Sequence, residues 1–437
     1  MATTVDLILK GGTIATPSAI ALGDIAIAGG RIVALGDMAG LTARETLDCR
    51  NLHILPGVID SQVHFREPGA THKEDLETGS RGAVAGGVTS VFEMPNTKPE
   101  TTSAPALSDK VKRAHHRMFC DFAFYVGGTH DNFSEIPALE SLPASAGIKV
   151  FAGSSTGDLL VDDEKGLETI ISRLTRRAAF HSEDEERLRA RVSYQRAGDP
   201  TSHHIWRDVE AAVISTTRLI KLAQKHNKRI HILHISTAEE LPLLAAARDV
   251  ATCEATPHHL TLSSDDYANL GTKLQMNPPV REARHRDALW AGINNGLIDV
   301  LGSDHAPHTL DEKTKPYPAS PSGMTGVQTL VPIMLNHVNE GRLTLQRFVD
   351  LTAQGPQRIF NLRGKGRIAL GYDADFTIVD LKRRETISNA WIESRSGWTP
   401  FDGKNVQGWP VGTFVRGNRA MWQGEIAAQA FGEAVRF

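Results

Sequence analysis

The period of the apolar positions divides the chain into two textures. In roughly the first fifty residues, Val5 to Lys10, Ile25 to Ala28 and Arg31 to Leu35 alternate or run apolar as short strands. The last two flank Gly29-Gly30, which accept positive φ at both turn positions and so predict a hairpin. The far end repeats this texture. Asp375 to Asp380 reads as a strand, and Thr413 to Arg416 and Arg419 to Gln423 flank Gly417-Asn418 as a second hairpin turn. Residues 1–53 and 366–437 are therefore expected to complete one small β-sandwich domain, the second part carrying a C-terminal tail.

Between them, residues 54–365 alternate short apolar runs with helical stretches. The runs are Ile54 to His64, Val88 to Phe92, Phe122 to Val126, Ile148 to Phe151, Ala178 to His181, Ile230 to Ile235, Val250 to Glu254 and Val300 to Asp304. Helical pattern such as Thr217 to His226 separates most of them, which implies a parallel sheet, and eight repeats predict a closed (β/α)8 TIM-like barrel. Periodicity alone also fits an open doubly wound sheet. Polar residues gather at the C-terminal ends of the runs, where barrels build their sites, and that favours the barrel.

Composition narrows the class. The chain has 437 residues, 41% hydrophobic and 23% charged, with a formal net charge of -3, as in an ordinary soluble protein. Charges are interspersed, so neither a nucleic-acid footprint nor a membrane-surface patch is indicated. The N-terminus has no basic segment before an apolar run, and nothing approaches the roughly 20 apolar residues of a membrane span. Three widely spaced cysteines, Cys49, Cys120 and Cys253, give no disulfide framework or zinc cluster, and a cytoplasmic location is expected.

The chemistry concentrates in Gly57 to Gly69, GVIDSQVHFREPG. In a strand Asp60, Gln62 and His64 project together, followed at once by Arg66. A second histidine at position 62 would make a common zinc-binding pair, but the residue there is Gln62. Lys149 lies inside an apolar run, where a lysine either snorkels or is paired. His181 closes the fifth run, and alone reads first as a hydrogen-bonded structural histidine. His234 closes the sixth with the parity of Ile230 and Ile232, whereas His231, of opposite parity, is expected to face the surrounding helices. Asp304 ends the eighth run, where a carboxylate also suits a helix cap. The charged stretch Glu183 to Arg207, with His203-His204, reads as a solvated loop and helix surface, and His115-His116 as surface. Singly these signals are weak. Their agreement places His, Lys or Asp at one end of strands one, four, five, six and eight, around a single rim.

In order along the chain, KGGTIATP, PGVIDSQVHFREPG, EMPNT, GIKVF, FHSED, HILHIST, CEATPHH, MNPPVR, LGSDHAPH and GYDADFTIVDL resemble the amidohydrolase superfamily, and within it the long, type I dihydroorotase branch. The resemblance implies a zinc-dependent cyclic amide hydrolase, with one or two ions, that interconverts N-carbamoyl-L-aspartate and dihydroorotate in pyrimidine biosynthesis. It makes His64, Lys149 as a carbamylated bridging lysine, His181, His234 and Asp304 the metal ligands, and Asp304 the proton-transfer group as well. Such ions activate water and polarise the amide carbonyl. Arg66, Asn96 and His308 would hold the substrate carboxylate and ring, and Asn277 and the glycine-rich Ser322 to Gly326 would line the pocket; Asn277 reads equally as a turn residue before Pro278-Pro279. Gln62 departs from the pattern and leaves the first ion only His64, the carbamate and Asp304. An allantoinase or hydantoinase is the alternative, although those relatives generally lack an arginine at position 66. A catalytically silent structural partner of aspartate transcarbamoylase is the third reading. The resemblance also implies a homodimer.

Overall fold

A computed structural model describes residues 3–154 and 159–437. Strands β1 (Thr3–Ala15), β2 (Ile20–Ala28), β3 (Arg31–Leu35), β4 (Leu41–Asp48) and β5 (His53–Pro56) come from the N-terminal end. The barrel follows as β6 (Val58–Val63), β7 (Val88–Glu93), β8 (Asp121–Gly127), β9 (Ser145–Phe151), β10 (Ala178–His181), β11 (Ile230–Ile232), β12 (Ala251–Ala255) and β13 (Val300–Leu301). Then β14 (Phe376–Thr386), β15 (Asn405–Val415), β16 (Asn418–Trp422) and β17 (Glu425–Ile426) return to the first group. The termini form one nine-stranded sheet in which β5 pairs antiparallel with β14, while β1 pairs with β2, β4 and β5.

The hairpin turn at Gly29-Gly30 has φ of 57° and 74°, as its sequence requires. The second hairpin turns one residue earlier than its sequence suggests. Val415 pairs with Asn418, so Arg416 (φ 45°) and Gly417 (φ 75°) occupy the turn. The apolar run from Ile54 to His64 is likewise two strands, β5 in the terminal sheet and β6 in the barrel. The chain crosses between them at Gly57, where a Cβ would stand 2.3 Å from the Thr89 hydroxyl.

The eight barrel strands are parallel and in order. Each alternation of apolar side chains serves two cores. Ile230, Ile232 and Phe180 share the outer layer with Leu219 and Ala223 of the helix Val209–Lys225, which Asp208 caps at its N-terminus. Ile59, Phe92, Tyr125, Ala179, Leu233 and Phe360 fill the inside of the barrel. No helix among the described residues is long and apolar enough to cross a membrane.

Ladder register corrects the reading of the sixth strand. Lys149, Ala179, His231 and Thr252 lie side by side on successive strands and face the same way, toward the interior. His231 thus points into the barrel, where it bonds Thr252 Oγ1 at 2.8 Å and packs edge-on against Phe360.

The barrel and the terminal sheet are joined by a buried ion cluster. Lys365 Nζ reaches Asp121 at 2.5 Å, Asp375 at 2.6 Å and Asp373 at 3.2 Å, and Arg416 also pairs with Asp121. Burial opposes the Lys365 charge, but the three carboxylates outweigh it and hold its pKa well above the ordinary value. Replacing Lys365 by Met leaves these buried aspartates without their shared cation. We expect a loss of about 3–5 kcal/mol in urea unfolding, against less than about 1 kcal/mol for exposed Lys382→Met.

Candidate active site

Strand β6 delivers its polar residues to the seam where it meets β13. The ladder with β7 shifts register between Asp60 and Val63, and this irregularity turns the side chains across the seam. Asp60 Oδ1 accepts from the Ser303 amide at 2.9 Å, Gln62 Nε2 donates to Asp304 Oδ1 at 3.0 Å, and His64 Nε2 lies 3.2 Å from the same oxygen. The other His64 nitrogen meets Asn96 Oδ1 at 2.8 Å. Gln62, His64 and Asp304 are all buried, and Gln62 Oε1 has no hydrogen-bond partner among the described residues.

A second group forms at the ends of β10 and β11. His181 Nδ1 faces His234 Nε2 at 3.2 Å, with the rings at 77°. His181 Nε2 bonds Glu183 at 2.9 Å, so that its N–H points to the carboxylate and Nδ1 presents a lone pair. His234 does not arrive by strand parity. Ile230 and Ile232 face outward, and a φ of 34° at His234 turns its ring inward. Asp304 (φ 46°) and Arg66 (φ 62°) are held in the same unfavourable region, at a cost of about 1–3 kcal/mol each.

Lys149 connects the two groups. It is buried, its ammonium lies over the Phe151 ring at 4.4 Å, and it has no carboxylate within ion-pair distance among the described residues. Burial pushes its pKa down to about 7, against the pull of Asp304 and Glu254, and its charge is felt by His64, His181 and His234. Burial also raises the Asp304 carboxyl to about 7, although Lys149 and His181 oppose this. Beneath them Glu254, raised to about 8 by burial, accepts from Ser61 Oγ at 2.7 Å.

These donors suit a divalent metal. Burial depresses all three imidazoles, leaving neutral nitrogens as ligands. His234 Nδ1 and Gln62 Oε1 are buried polar atoms without partners among the described residues, and a buried amine in its neutral form can accept carbon dioxide to become an anionic ligand. The donors nonetheless stand as two half-sites. Among the described residues the only three carboxylate, imidazole or thiol groups with ligand atoms all within 4.8 Å are Asp121, Asp373 and Asp375, and Lys365 already fills that cluster.

Beside the metal donors Arg66 is buried, with Nε donating to Pro307 O at 3.2 Å and Nη2 3.3 Å from His308 Nε2. Burial lowers its pKa only to about 10, so the guanidinium stays charged. Lys73 Nζ lies 3.1 Å from the other His308 nitrogen, and the Ser322 carbonyl 3.1 Å from Nε2. Asn277 is half-buried and meets His203 Nε2 at 2.9 Å.

The stretch Glu183 to Arg207 is not simply solvated surface. Glu183, His203 and Arg207 are buried, and Arg207 grips Glu183 at 3.1 and 2.5 Å. Burial works against the Glu183 carboxylate, but Arg207 and His181 outweigh it and hold its pKa below the usual range. Sequence could have signalled this only through the strand-end position of His181, two residues before Glu183. His115 and His116 are exposed, as expected.

An amidohydrolase family model matches residues 53–420. The dihydroorotase of Halobacterium salinarum is 37% identical over 94% of this chain and 96% of its own length. That of Methanothermobacter thermautotrophicus is 35% identical over 92% of each. Among solved structures, an L-hydantoinase from Arthrobacter aurescens superposes with a TM-score of 0.95 at 30% identity, covering 99% of both chains.

Glu183→Gln keeps the shape but weakens the bond that fixes His181. It should lower metal affinity about 10- to 100-fold in a competitive chelator titration. An unchanged affinity would show that Glu183 serves Arg207 alone.

Proposed function

The chain belongs to the amidohydrolase family, and from that premise we propose that it is a dihydroorotase interconverting N-carbamoyl-L-aspartate and dihydroorotate in pyrimidine biosynthesis. The observation that carries this reading is Arg66, buried and charged beside His308 and the metal donors. A planar cation there suits a ring bearing a carboxylate, and neutral hydantoins offer it nothing to hold. The near-complete superposition on an L-hydantoinase reports the shared scaffold and keeps a neutral cyclic ureide as the second substrate class to test.

His64, Lys149 as its carbamate, His181, His234 and Asp304 would hold the metal, taken as zinc. The metal supplies Lewis acidity and an activated water. Arg66 and His308 bind the substrate carboxylate, and Asn96 fixes the His64 ring. Asp304, whose carboxyl burial raises to about 7, takes a proton from the attacking water and returns it to the ring nitrogen as the C–N bond breaks. Water thus adds as hydroxyl to the carbonyl carbon and as hydrogen to nitrogen. The three buried, free cysteines support a reducing, cytoplasmic setting. Asn277 would act at one remove, through His203.

Gln62 sets the expected metal count. Its Nε2 already donates to Asp304, and to become a ligand it would have to turn its amide oxygen, a poorer zinc donor than imidazole. Protein loaded with zinc and bicarbonate should hold about one tightly bound ion per chain, and Gln62→His about two, by elemental analysis. Two ions in the wild type would overturn this.

The activity test is direct. The metal-loaded protein should open dihydroorotate, and Arg66→Gln should lose about 10- to 100-fold in kcat/KM on it, the worth of one charged hydrogen bond. Turnover of neutral hydantoins that Arg66→Gln leaves intact would favour the second substrate class. An inert, metal-free protein would instead favour a silent scaffold serving aspartate transcarbamoylase.

A further inference from the structure

The other end of the barrel carries a cavity of about 1330 Å³. Its wall is formed where strands begin, at Ala144 and Ala146 by β9, Arg177 before β10 and Arg229 before β11. It therefore lies opposite the metal donors, on the face where barrels usually carry only packing.

Its charge departs sharply from that of the chain. The protein has 48 basic and 51 acidic residues, yet eight basic residues line this cavity against one acidic residue, Glu140. Glu140 feels Arg176 but is one carboxylate among eight cations. Its Oε2 is taken by the Thr175 amide and hydroxyl, at 2.8 and 2.6 Å, and burial raises its pKa. Arg31 is paired with Asp373 at 2.6 Å, Arg358 with Asp350 at 3.2 Å, and Arg436 lies 3.9 Å from Asp373. Arg176, Arg177, Lys228, Arg229 and Arg363 have no carboxylate within ion-pair distance among the described residues.

Three of these cations are anchored by backbone carbonyls. Arg176 donates to Glu140 O and Ser145 O, Arg177 to Ile230 O and Lys228 to Leu174 O. Carbonyls fix position without cancelling charge. Arg177 Nε remains buried without a partner among the described residues, and burial together with the neighbouring Arg229 lowers its pKa to about 10. Like charges gathered at partly buried positions lose stability unless an anion joins them. Phe360, Ile359 and Phe437 give the cavity an apolar side, with Arg176 over the Phe437 ring at 4.5 Å.

We infer that this cavity is a binding site for a small oligophosphate, either free or as the phosphate tail of a nucleotide. Guanidinium groups match phosphate oxygens in pairs, and the volume exceeds the roughly 1,000 Å³ upper bound of ordinary small-molecule sites, which leaves room for a chain of phosphates.

The test is calorimetric titration of the intact, metal-loaded protein with tripolyphosphate and with a nucleoside triphosphate, at constant ionic strength. Arg229→Gln/Arg363→Gln is the comparison, since both side chains are exposed and hold no carboxylate. The wild type should bind one equivalent, and the double variant at least about tenfold more weakly. Equal affinities for the two ligands assign the site to phosphate alone, and tighter nucleotide binding adds the apolar wall. Chelation of the metal would affect wild type and variant alike, so a heat that survives the substitutions overturns the inference. So does the absence of binding by either ligand, or binding that the same ionic strength of sulfate removes.

Discussion

The barrel closes through its own active site. Strand β13 is only two residues long, so the ladder cannot finish the cylinder by itself. Closure passes to the segment just beyond β13: the His64 amide bonds His305 O at 2.7 Å, the Ser303 amide bonds Asp60, and Gln62 bonds Asp304. The same few residues must therefore satisfy the seam and, in the function proposed, carry the chemistry. Side chains locked into a seam are also pre-organised, which is what a metal or a transition state needs.

This constraint gives Gln62 a positive role. As a missing histidine it is a defect in a ligand set. As an amide it is a donor that holds the Asp304 carboxylate in place across the seam, with no formal charge added at a buried point. The other half-site is organised separately, by the chain Arg207, Glu183, His181 and His234. Lys149 stands between two halves that were built by different means, and its burial holds its amine well below the usual lysine range.

Strain is placed with the same economy. Arg66, His234 and Asp304 each sit at positive φ, in a chain where most such positions are glycine or turn residues. Each is held by neighbours: Arg66 by Pro307 and His308, His234 by His181, Asp304 by Gln62 and His64. The terminal sheet is fixed to the barrel by Lys365 far from this strain, so the scaffold and the site draw on different buried ions.

Much was legible in the sequence because it depends on local periodicity. The eight parallel strands, the joining of both ends in one sheet, the Gly29-Gly30 turn and the standing of His64, His181 and Asp304 at or just beyond strand ends all derive from apolar spacing and turn residues. What the tertiary structure decided depends on contacts that spacing cannot carry. Parity sent His234 inward and His231 outward. The structure overturns the second placement and the reason for the first: register turns His231 into the barrel, and a positive φ brings His234 to the rim. The burial of Glu183 and Arg207 needed a partner twenty-four residues away, and the cationic cavity needed residues from six separated segments. A single sequence records which groups are present and the pattern in which they recur. Which of them meet, and which are left charged and unpaired, is settled only when distant segments exclude water from between them.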